Sequence, residues 1–459
     1  MSSTLRAFIL FAFALPAAAQ LPPATTAKID AIADQELAAS GAPSVSIAVV
    51  ADGRIAYVKA YGKGRLQPAV AAAPEMRYSI GSVSKQFMAA AILMLAQDGK
   101  LSLDDKVGRF LPDLTRANEI TIRQLLTHTS GYQDYYPLDY VAPFMQKPVT
   151  AAEILKTFAG KPLDFDPGTR WQYSNTNYVA AGRILERVTG QPLAAFLEAR
   201  VFRPLGMATV IDLDKQSLTH ADAAGYTRFG LAPPRPVAPE GRGWLFAAGE
   251  LAMTAQDLAR WDISLIERKL LDARSFDAMI TPVRLRNGTP TGYALGVGVS
   301  DANGHPMLRH GGAVSGFVSL NTVWPDARAA VVVFANMDGS RAPGSITGQI
   351  APLLLAEAED PQAAQRLEQA RRIFASLQEG RIDRSLLTSD ADAYFTPQVL
   401  TDAAASLGPL GSPESFKQVS AGLRGGMQSR SFLVEFKGKS LHLSTFAAAD
   451  GKLAQYLIQ

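Results

Sequence analysis

The tetrapeptide Ser82-Val83-Ser84-Lys85 has the clearest capacity for covalent chemistry in this sequence. It is the only Ser-x-x-Lys in the chain, and a strongly apolar helical pattern follows it to Ala96. Residues three apart share a helix face, so Lys85 Nζ can reach Ser82 Oγ. The positive end of the helix dipole and burial both lower the pKa of such a lysine. The pattern predicts a serine nucleophile with a lysine base, although a surface serine beside a solvated lysine is the alternative interpretation.

A second candidate is Tyr173-Ser174-Asn175, the only Tyr-x-Asn in the chain. It follows the turn signal Asp166-Pro167-Gly168 and precedes a helical pattern that starts near Tyr178. A phenol can relay a proton, and a carboxamide can both donate to and accept from a substrate amide. A half-buried turn tyrosine followed by a capping asparagine would leave the same pattern, so this motif alone is weak.

A third candidate is His310-Gly311-Gly312, which is followed by Ala313. Two adjacent glycines allow another chain segment or a ligand to approach the backbone closely. Backbone N–H groups near Ala313, together with that of Ser82, are predicted to form an oxyanion hole. A β-bulge that carries an incidental histidine is the alternative interpretation.

Taken in chain order, these three motifs make the sequence resemble the serine β-lactamase and penicillin-binding-protein superfamily. The branch it resembles most contains class C β-lactamases, D-alanyl-D-alanine carboxypeptidases, D-aminopeptidases and family VIII esterases. The likeness covers about residues 25–356. Two flanking stretches, which we interpret as scaffold-forming, add to it: Gln124–Gly131, and Ala248-Gly249 with Thr254 and Asp257–Trp261.

The resemblance implies roles for residues at the matching positions. Ser82 would be the nucleophile, Lys85 the base or proton shuttle, and Tyr173 a second proton relay. The implied substrate-binding residues are Asn175, His310, Gly311, Gly312 and Ala313. The resemblance implies neither a metal nor a cofactor.

The third motif departs from the Lys-Thr/Ser-Gly form of the superfamily. His310 stands at the lysine position and Gly311 at the hydroxyl position, a variation that also occurs in related esterases and aminopeptidases. The lysine and the hydroxyl together hold a substrate carboxylate, whereas a histidine with an ordinary pKa of about 6.5 is mostly neutral at pH 7. We therefore expect weak or absent hydrolysis of penicillins.

The composition excludes several other kinds of protein. The chain has 459 residues, of which 47% are hydrophobic and 19% charged. This composition is typical of a folded protein with a large hydrophobic core and excludes a disordered chain. Its 45 Lys+Arg and 42 Asp+Glu give a net charge of +3. Positive and negative charges are too nearly equal for the basic surface of a nucleic-acid-binding protein. There is no Cys, so disulfides and thiolate sites are excluded. The pattern H-E-x-x-H of zinc hydrolases and the pattern G-x-S-x-G of α/β-hydrolases do not occur.

Residues 1–19 are predicted to be a signal peptide. Arg6 precedes an apolar run over residues 7–15, and Ala17-Ala18-Ala19 provides a cleavage signal before Gln20. The run is far shorter than the roughly 20 residues that span a bilayer. We expect a periplasmic or secreted protein with no transmembrane anchor after cleavage.

Hydrophobic periodicity predicts the elements that must position the motifs. Strand patterns lie at both ends of the main unit and helical patterns between them. The expected fold class is α+β, with one antiparallel sheet flanked by helices and a helical insert that borders a cleft. Helices are predicted over 26–40, 82–96 and 346–356, and strands over 44–51, 55–61, 293–299, 317–323 and 329–334.

The chain is predicted to contain two domains. A serine hydrolase domain over residues 20–356 would be joined by a polar linker, 357–365, to a small α+β domain over 366–459. The small domain begins with a helical pattern and continues with alternating strands, and it looks like a cystatin-like or NTF2-like domain. Capping of the cleft, partner binding and dimerisation all remain open as its role.

We expect an exported serine hydrolase that acts through a serine acyl-enzyme on ester, amide or D-amino-acid peptide bonds. Its partner would be a small-molecule or peptide substrate and not nucleic acid. The alternative is a sensor of the same fold that binds muropeptides or penicillin without turnover. The intact Ser82, Lys85 and Tyr173 favour the enzyme, since a pure binding protein needs no nucleophile.

Overall fold

The structure, a computed structural model, describes residues 20–302, 304–355 and 362–459. The predicted signal peptide and residues 357–361 of the predicted linker lie outside the described residues. The chain divides into two compact units. Among the described residues, one consists of residues 20–301 and 306–355, and the other of residues 302, 304–305 and 362–459.

Strands and helices alternate irregularly along the first unit. Its strands are β1 (Ser44–Ala51), β2 (Arg54–Leu66), β3 (Ala69–Ala71), β4 (Tyr78–Ser79), β5 (Ile211–Asp212), β6 (Tyr226–Thr227), β7 (Arg235–Pro236), β8 (Leu251–Met253), β9 (Gly298–Ala302), β10 (His305–Val314), β11 (Phe317–Trp324) and β12 (Ala329–Ala335). Its helices are α1 (Pro23–Ser40), α2 (Ser84–Gln97), α3 (Ile122–Leu126), α4 (Ala151–Ile154), α5 (Asn175–Thr189), α6 (Leu193–Leu197), α7 (Arg203–Leu205), α8 (Ala255–Ile266), α9 (Ala273–Ile280) and α10 (Ala342–Leu354).

A seven-stranded sheet in the order β3-β2-β1-β12-β11-β10-β9 forms the centre of this unit. Strand β1 pairs antiparallel with both β2 and β12, so strands from the two ends of the unit are direct neighbours. The turn between β1 and β2 has positive φ at both Asp52 and Gly53, as a two-residue hairpin requires. The predicted α+β fold, with a sheet built from both ends of the unit, is confirmed.

Helices cover both faces of the sheet, and this explains why every residue of β12 is buried. Val332 and Phe334 pack into a core that contains Leu258 of α8. Val331 and Val333, which point to the opposite face, pack into a second core that contains residues of α1 and α10. A strand with both faces buried is continuously apolar, as the sequence of β12 is.

The strand predicted over 293–299 is wrong in position, because β9 runs from Gly298 to Ala302. The residues before it form a loop whose backbone groups are satisfied locally. Ala294 N donates to Val297 O over 2.8 Å, and Leu295 N donates to Met279 O over 3.2 Å. Strand β10 was not among the predicted strands, and its pairing with β11 runs without a bulge through His310, Gly311 and Gly312.

Helix α2 runs through the interior of the first unit. Every residue from Ser84 to Leu95 is buried, and a 3₁₀ turn over Gly81–Val83 leads into the helix. The prediction of a buried helix here is therefore confirmed. The position of Lys85 in its first turn places the side-chain amino group of Lys85 inside the protein core.

The second unit contains three helices followed by a four-stranded antiparallel sheet in the order β13-β14-β15-β16. The elements are α11 (Ala363–Gln378), α12 (Ser389–Tyr394), α13 (Pro397–Leu407), β13 (Ser415–Arg424), β14 (Met427–Phe436), β15 (Lys439–Ala447) and β16 (Leu453–Ile458). Residues 363–365 of the predicted linker already belong to α11. Within the described residues, no helix of either unit has the length and apolarity to cross a bilayer.

Candidate active site

Ser82 lines a cleft of about 1660 Å³ in the first unit. Seven of the eight predicted site residues line this cleft, and they are Ser82, Tyr173, Asn175, His310, Gly311, Gly312 and Ala313. The eighth, Lys85, is fully buried and contacts Ser82 from behind the cleft wall. The structure thus brings all the predicted site residues together.

Lys85 is held by three hydrogen-bond acceptors. Its Nζ lies 2.9 Å from Ser82 Oγ, 2.8 Å from Asn175 Oδ1 and 2.6 Å from the carbonyl oxygen of Ala248. The carboxamide and carbonyl oxygens can only accept hydrogen bonds. When Lys85 is neutral, its two N–H groups therefore point at these two oxygens, and its lone pair points at the hydroxyl of Ser82.

Burial lowers the pKa of Lys85 from 10.5 to about 7, and the negative charges of Asp134 and Glu250 oppose this shift. A group with that pKa is neutral in a large fraction of molecules at neutral pH. Lys85 can therefore take the proton of Ser82, which an ordinary lysine could not do efficiently.

Tyr173 lies beside the same pair. The Nζ of Lys85 is 5.1 Å from the centre of the Tyr173 ring. Burial raises the pKa of Tyr173 above its ordinary value, while a hydrogen bond with Ser82 partly offsets the rise. The phenol is therefore protonated at neutral pH and can donate to an oxygen at the Ser82 position.

Asn175 is oriented by an aspartate that the sequence motifs did not include. Asp134 Oδ1 accepts from the backbone N–H of Asn175 over 2.9 Å and from its Nδ2 over 3.1 Å. Because Nδ2 faces Asp134, the Oδ1 atom of Asn175 is left to face Lys85. Asp134, Asn175, Lys85 and Ser82 thus form one continuous chain of hydrogen bonds.

His310 uses both of its ring nitrogens within the protein. Its Nδ1 lies 2.6 Å from the carbonyl oxygen of Gly311 and must donate to it, while Nε2 lies 2.8 Å from the Tyr293 hydroxyl. Burial and the nearby charge of Lys85 lower the pKa of His310 to about 3. His310 is therefore neutral at physiological pH and adds no positive charge to the cleft.

The backbone of β10 lies unusually close to the turn that carries Ser82. A Cβ at Gly312 would lie 2.0 Å from the carbonyl oxygen of Ile80, and a Cβ at Gly81 would lie 3.1 Å from Ala313 N. Ser319 Oγ donates to the same Ile80 oxygen over 2.7 Å and fixes the strand against the turn. This contact places Ala313 N beside Gly81, the residue that precedes Ser82, and such proximity is what an oxyanion hole formed by Ser82 and Ala313 would require.

Exposed apolar side chains form part of the cleft lining, and this part is called the apolar rim below. Four large hydrophobic side chains in the described part of the chain line the cleft and are exposed, with exposed fractions between 40% and 70%. They are Leu138, Tyr140, Trp171 and Phe229. Grouped exposed apolar side chains of this kind mark binding surfaces more often than chance.

The profile of the family described as Beta-lactamase matches residues 29–353. The chain belongs to the Beta-lactamase family. This membership confirms the superfamily inferred from the motifs and identifies the chain as a serine-hydrolase type of protein.

Three similar proteins illustrate the range of this family. Bacillus subtilis (strain 168) PbpX, named as a penicillin-binding protein, is 27% identical over 306 residues, which cover 67% of this chain and 74% of PbpX. The D-stereospecific amidohydrolase from Streptomyces sp. is 28% identical with a TM-score of 0.62, covering 71% of this chain and 98% of that one. The octameric penicillin-binding protein homologue from Pyrococcus abyssi is 21% identical with a TM-score of 0.64. The match covers 95% of this chain and 100% of the Pyrococcus chain, so the two proteins share a fold.

Several groups that contact the predicted site residues were not themselves predicted as site residues from the sequence motifs of this Beta-lactamase family member. Asp134 lies three residues beyond Gln124–Gly131, and His128 lies within that stretch, which we had interpreted as scaffold-forming. The Ala248 carbonyl likewise comes from the second stretch, and Tyr293 from a segment predicted to be a strand. No group of three or more His, Cys, Asp or Glu side chains in the described parts of the chain could hold a metal ion.

Proposed function

We propose that this protein is a serine hydrolase that cleaves esters, amides or D-amino-acid peptides through an acyl-enzyme on Ser82. The observation that carries the proposal is the geometry of Lys85. Two fixed acceptors, Asn175 and Ala248, direct its lone pair at Ser82 Oγ, 2.9 Å away. A hydrogen-bonded nucleophile and base, with the base oriented by further groups, is the arrangement that nucleophilic catalysis needs.

The proposed reaction has two halves. Lys85 takes the proton of Ser82 as Oγ attacks the substrate carbonyl carbon, and the backbone N–H groups of Ser82 and Ala313 stabilise the oxyanion. Tyr173 passes a proton to the leaving group as the bond to it breaks, protonated Lys85 returns the Ser82 proton to Tyr173, and the acyl group stays on Ser82. A water molecule then attacks the acyl-enzyme and gives up a proton to Lys85 or Tyr173, and that proton passes to Ser82 Oγ as the bond to the acyl group breaks and the acid leaves.

The neutral state of His310 favours esters and amides over penicillins. A substrate carboxylate gains little from a neutral imidazole whose two nitrogens are already bonded to Tyr293 and Gly311. Similarity to a D-stereospecific amidohydrolase supports amides of D-amino acids as one substrate group. We place these substrates, together with short esters, ahead of β-lactams.

Export and domain organisation belong to the same proposal. The charged and apolar pattern of residues 1–19 supports secretion or residence in the periplasm. We propose that residues 20–356 act as the hydrolase domain and that residues 366–459 bind a partner or mediate dimerisation. Removal of residues 366–459, followed by gel filtration and kinetics, tests that role.

The decisive experiment measures hydrolysis by the purified chain and by its Ser82→Ala variant. The substrates are a chromogenic cephalosporin, p-nitrophenyl acetate and butyrate, and the amides of D-alanine and D-phenylalanine. We expect ester or amide turnover that falls by at least about 10³-fold in Ser82→Ala, with little cephalosporin hydrolysis. Equal rates for both proteins would refute the proposal.

Mass spectrometry of the same mixtures separates the enzyme from the sensor. An acyl adduct on the Ser82 peptide that disappears with turnover supports the hydrolase. An adduct that persists while no product forms would identify a covalent sensor instead. Fast cephalosporin hydrolysis dependent on Ser82 would show that the argument from His310 is wrong.

A further inference from the structure

His128 lies directly beneath the segment that carries Tyr173. It follows helix α3 and is fully buried. Its φ is +58°, in the left-handed region that a residue other than glycine adopts only at some cost in free energy. Strained backbone of this kind tends to persist where it serves a site. The catalytic steps proposed above do not use this residue.

His128 accepts two hydrogen bonds from the residues that flank Tyr173 in the sequence. The carbonyl oxygen of His128 accepts from Gln172 N over 3.0 Å. Its Nδ1 accepts from Ser174 N over 3.2 Å. The residues before and after Tyr173 are thus both tied to a single buried side chain and its own backbone.

These bonds also fix the state of the imidazole. Nδ1 accepts from a backbone N–H, so the ring proton is on Nε2. Burial and the charge of Lys85 hold the pKa of His128 well below its usual range, and the ring stays neutral. The ring packs against Tyr173 with 4.3 Å between ring centres. Neutral His128 therefore offers Ser174 a constant acceptor over the whole working pH range.

From this geometry we infer that His128 is a positioning residue, which holds the Tyr173 hydroxyl at Ser82 by accepting the Ser174 N–H. This inference rests on the proposed function of the same site. The left-handed backbone lets one residue present both its carbonyl oxygen and its Nδ1 to the Tyr173 segment.

Two substitutions separate the hydrogen bond from the ring. His128→Phe keeps an aromatic ring but removes the Nδ1 acceptor. His128→Asn removes the ring but keeps an oxygen near the Nδ1 position, and asparagine tolerates positive φ. We expect His128→Phe to lower kcat about 10- to 100-fold, the usual effect of a misplaced catalytic group, with little change in KM. The fall in kcat caused by His128→Asn should be at least fivefold smaller than the fall caused by His128→Phe. His220→Phe, at an exposed loop histidine, is the matched control.

A double-mutant cycle with Tyr173→Phe gives a readout that a purely structural role would not change. If His128 acts through the Tyr173 hydroxyl, His128→Phe costs little further activity once that hydroxyl is absent. Independent, additive losses would overturn the inference, as would an unchanged kcat in His128→Phe. All rates are measured on an ester whose hydrolysis has been shown to require Ser82, so a failure of the proposed function is seen first and separately.

Hydrogen exchange of the Ser174 amide tests the bond directly and does not depend on turnover. We expect protection in the native protein and in His128→Asn, and loss of protection in His128→Phe. If His128→Phe does not fold, the exchange rate of the Ser174 amide in the native protein and in His128→Asn still decides the question. A Ser174 amide that exchanges freely in the native protein would overturn the inference.

Discussion

Asp134 holds Asn175 by both its backbone N–H and its side-chain Nδ2, at 2.9 and 3.1 Å from one carboxylate oxygen. This double contact determines which end of the carboxamide faces Lys85. The negative charge of Asp134 also raises the pKa of Lys85 against the effect of burial. One carboxylate thus influences both the direction in which Lys85 Nζ points and its basicity.

Replacement of Asp134 by Asn should change the pH dependence of hydrolysis. Activity requires neutral Lys85, so kcat/KM rises with pH through the pKa of Lys85, near 7. Without the Asp134 charge that pKa falls, and the acid limb of the profile moves to lower pH. We expect kcat to fall about five- to tenfold, since neutral hydrogen bonds hold Asn175 less firmly.

Asp139→Asn is the control for this profile, because Asp139 lines the same cleft but is exposed. Its acid limb should coincide with that of the unmodified protein. A shift of the Asp134→Asn limb to higher pH would contradict the electrostatic assignment.

Lys85→Met should abolish hydrolysis and change how stability depends on pH. A pKa lowered from 10.5 to about 7 by burial costs roughly 4–5 kcal/mol of folding free energy below pH 7. This cost disappears as the pH rises to 10.5, where lysine is neutral in both states. The variant should therefore gain more stability, relative to the unmodified protein, at pH 6 than at pH 10.

Urea unfolding at the two pH values measures this difference. Lys28→Met, at an exposed position on α1, should show no such difference between pH 6 and pH 10. An equal effect of Lys85→Met at both pH values would mean that Lys85 is charged in the folded protein throughout.

Gly312→Ala and Gly311→Ala form a matched pair on strand β10. A Cβ at Gly312 would lie 2.0 Å from Ile80 O, whereas at Gly311 the nearest atom would be 3.7 Å away. We expect Gly312→Ala to lose about 1–3 kcal/mol of stability and, by moving Ala313 N, about 10²- to 10³-fold in kcat. Thermal unfolding of Gly311→Ala should match the unmodified protein, and equal melting of the two variants would argue against the close contact.

The apolar rim should favour substrates with long or aromatic groups. Phe229→Ala and Tyr140→Ala each remove an exposed ring that lines the cleft. The ratio of kcat/KM for p-nitrophenyl octanoate to that for the acetate should fall about three- to tenfold, in keeping with the loss of partial apolar burial. Leu231→Ala is the control, because Leu231 is 95% exposed and outside the cleft lining. An unchanged ratio in both cleft variants would exclude a role for the rim.

The sequence predicted the parts of the site that lie close together along the chain. Ser82 and Lys85 are three residues apart on one helical turn, so their contact follows from local geometry. The pattern of polar and apolar residues likewise located β1, β2, β11 and β12. Such local rules hold because a strand or helix presents its side chains with a fixed period.

Contacts between distant segments could not be predicted in this way. Asp134 reaches Asn175, and His128 reaches Ser174, only after helices α3 and α5 have packed together. The loop around Tyr293 was mistaken for a strand because its apolar residues serve the core without pairing in a sheet. Tertiary packing decided these positions, and the local sequence does not contain that information.

The pairing of β1 with β12 has a consequence for biosynthesis. Ser44 N donates to Asn336 Oδ1 across 292 residues of sequence, at the centre of the sheet that supports the cleft. A growing chain cannot complete this sheet, or seat β10 beside Ser82, until residues beyond 336 have been made. Ser82 is therefore translated early, whereas the part of the cleft that β10 contributes can be completed only after the strands at the far end of the first unit have been made.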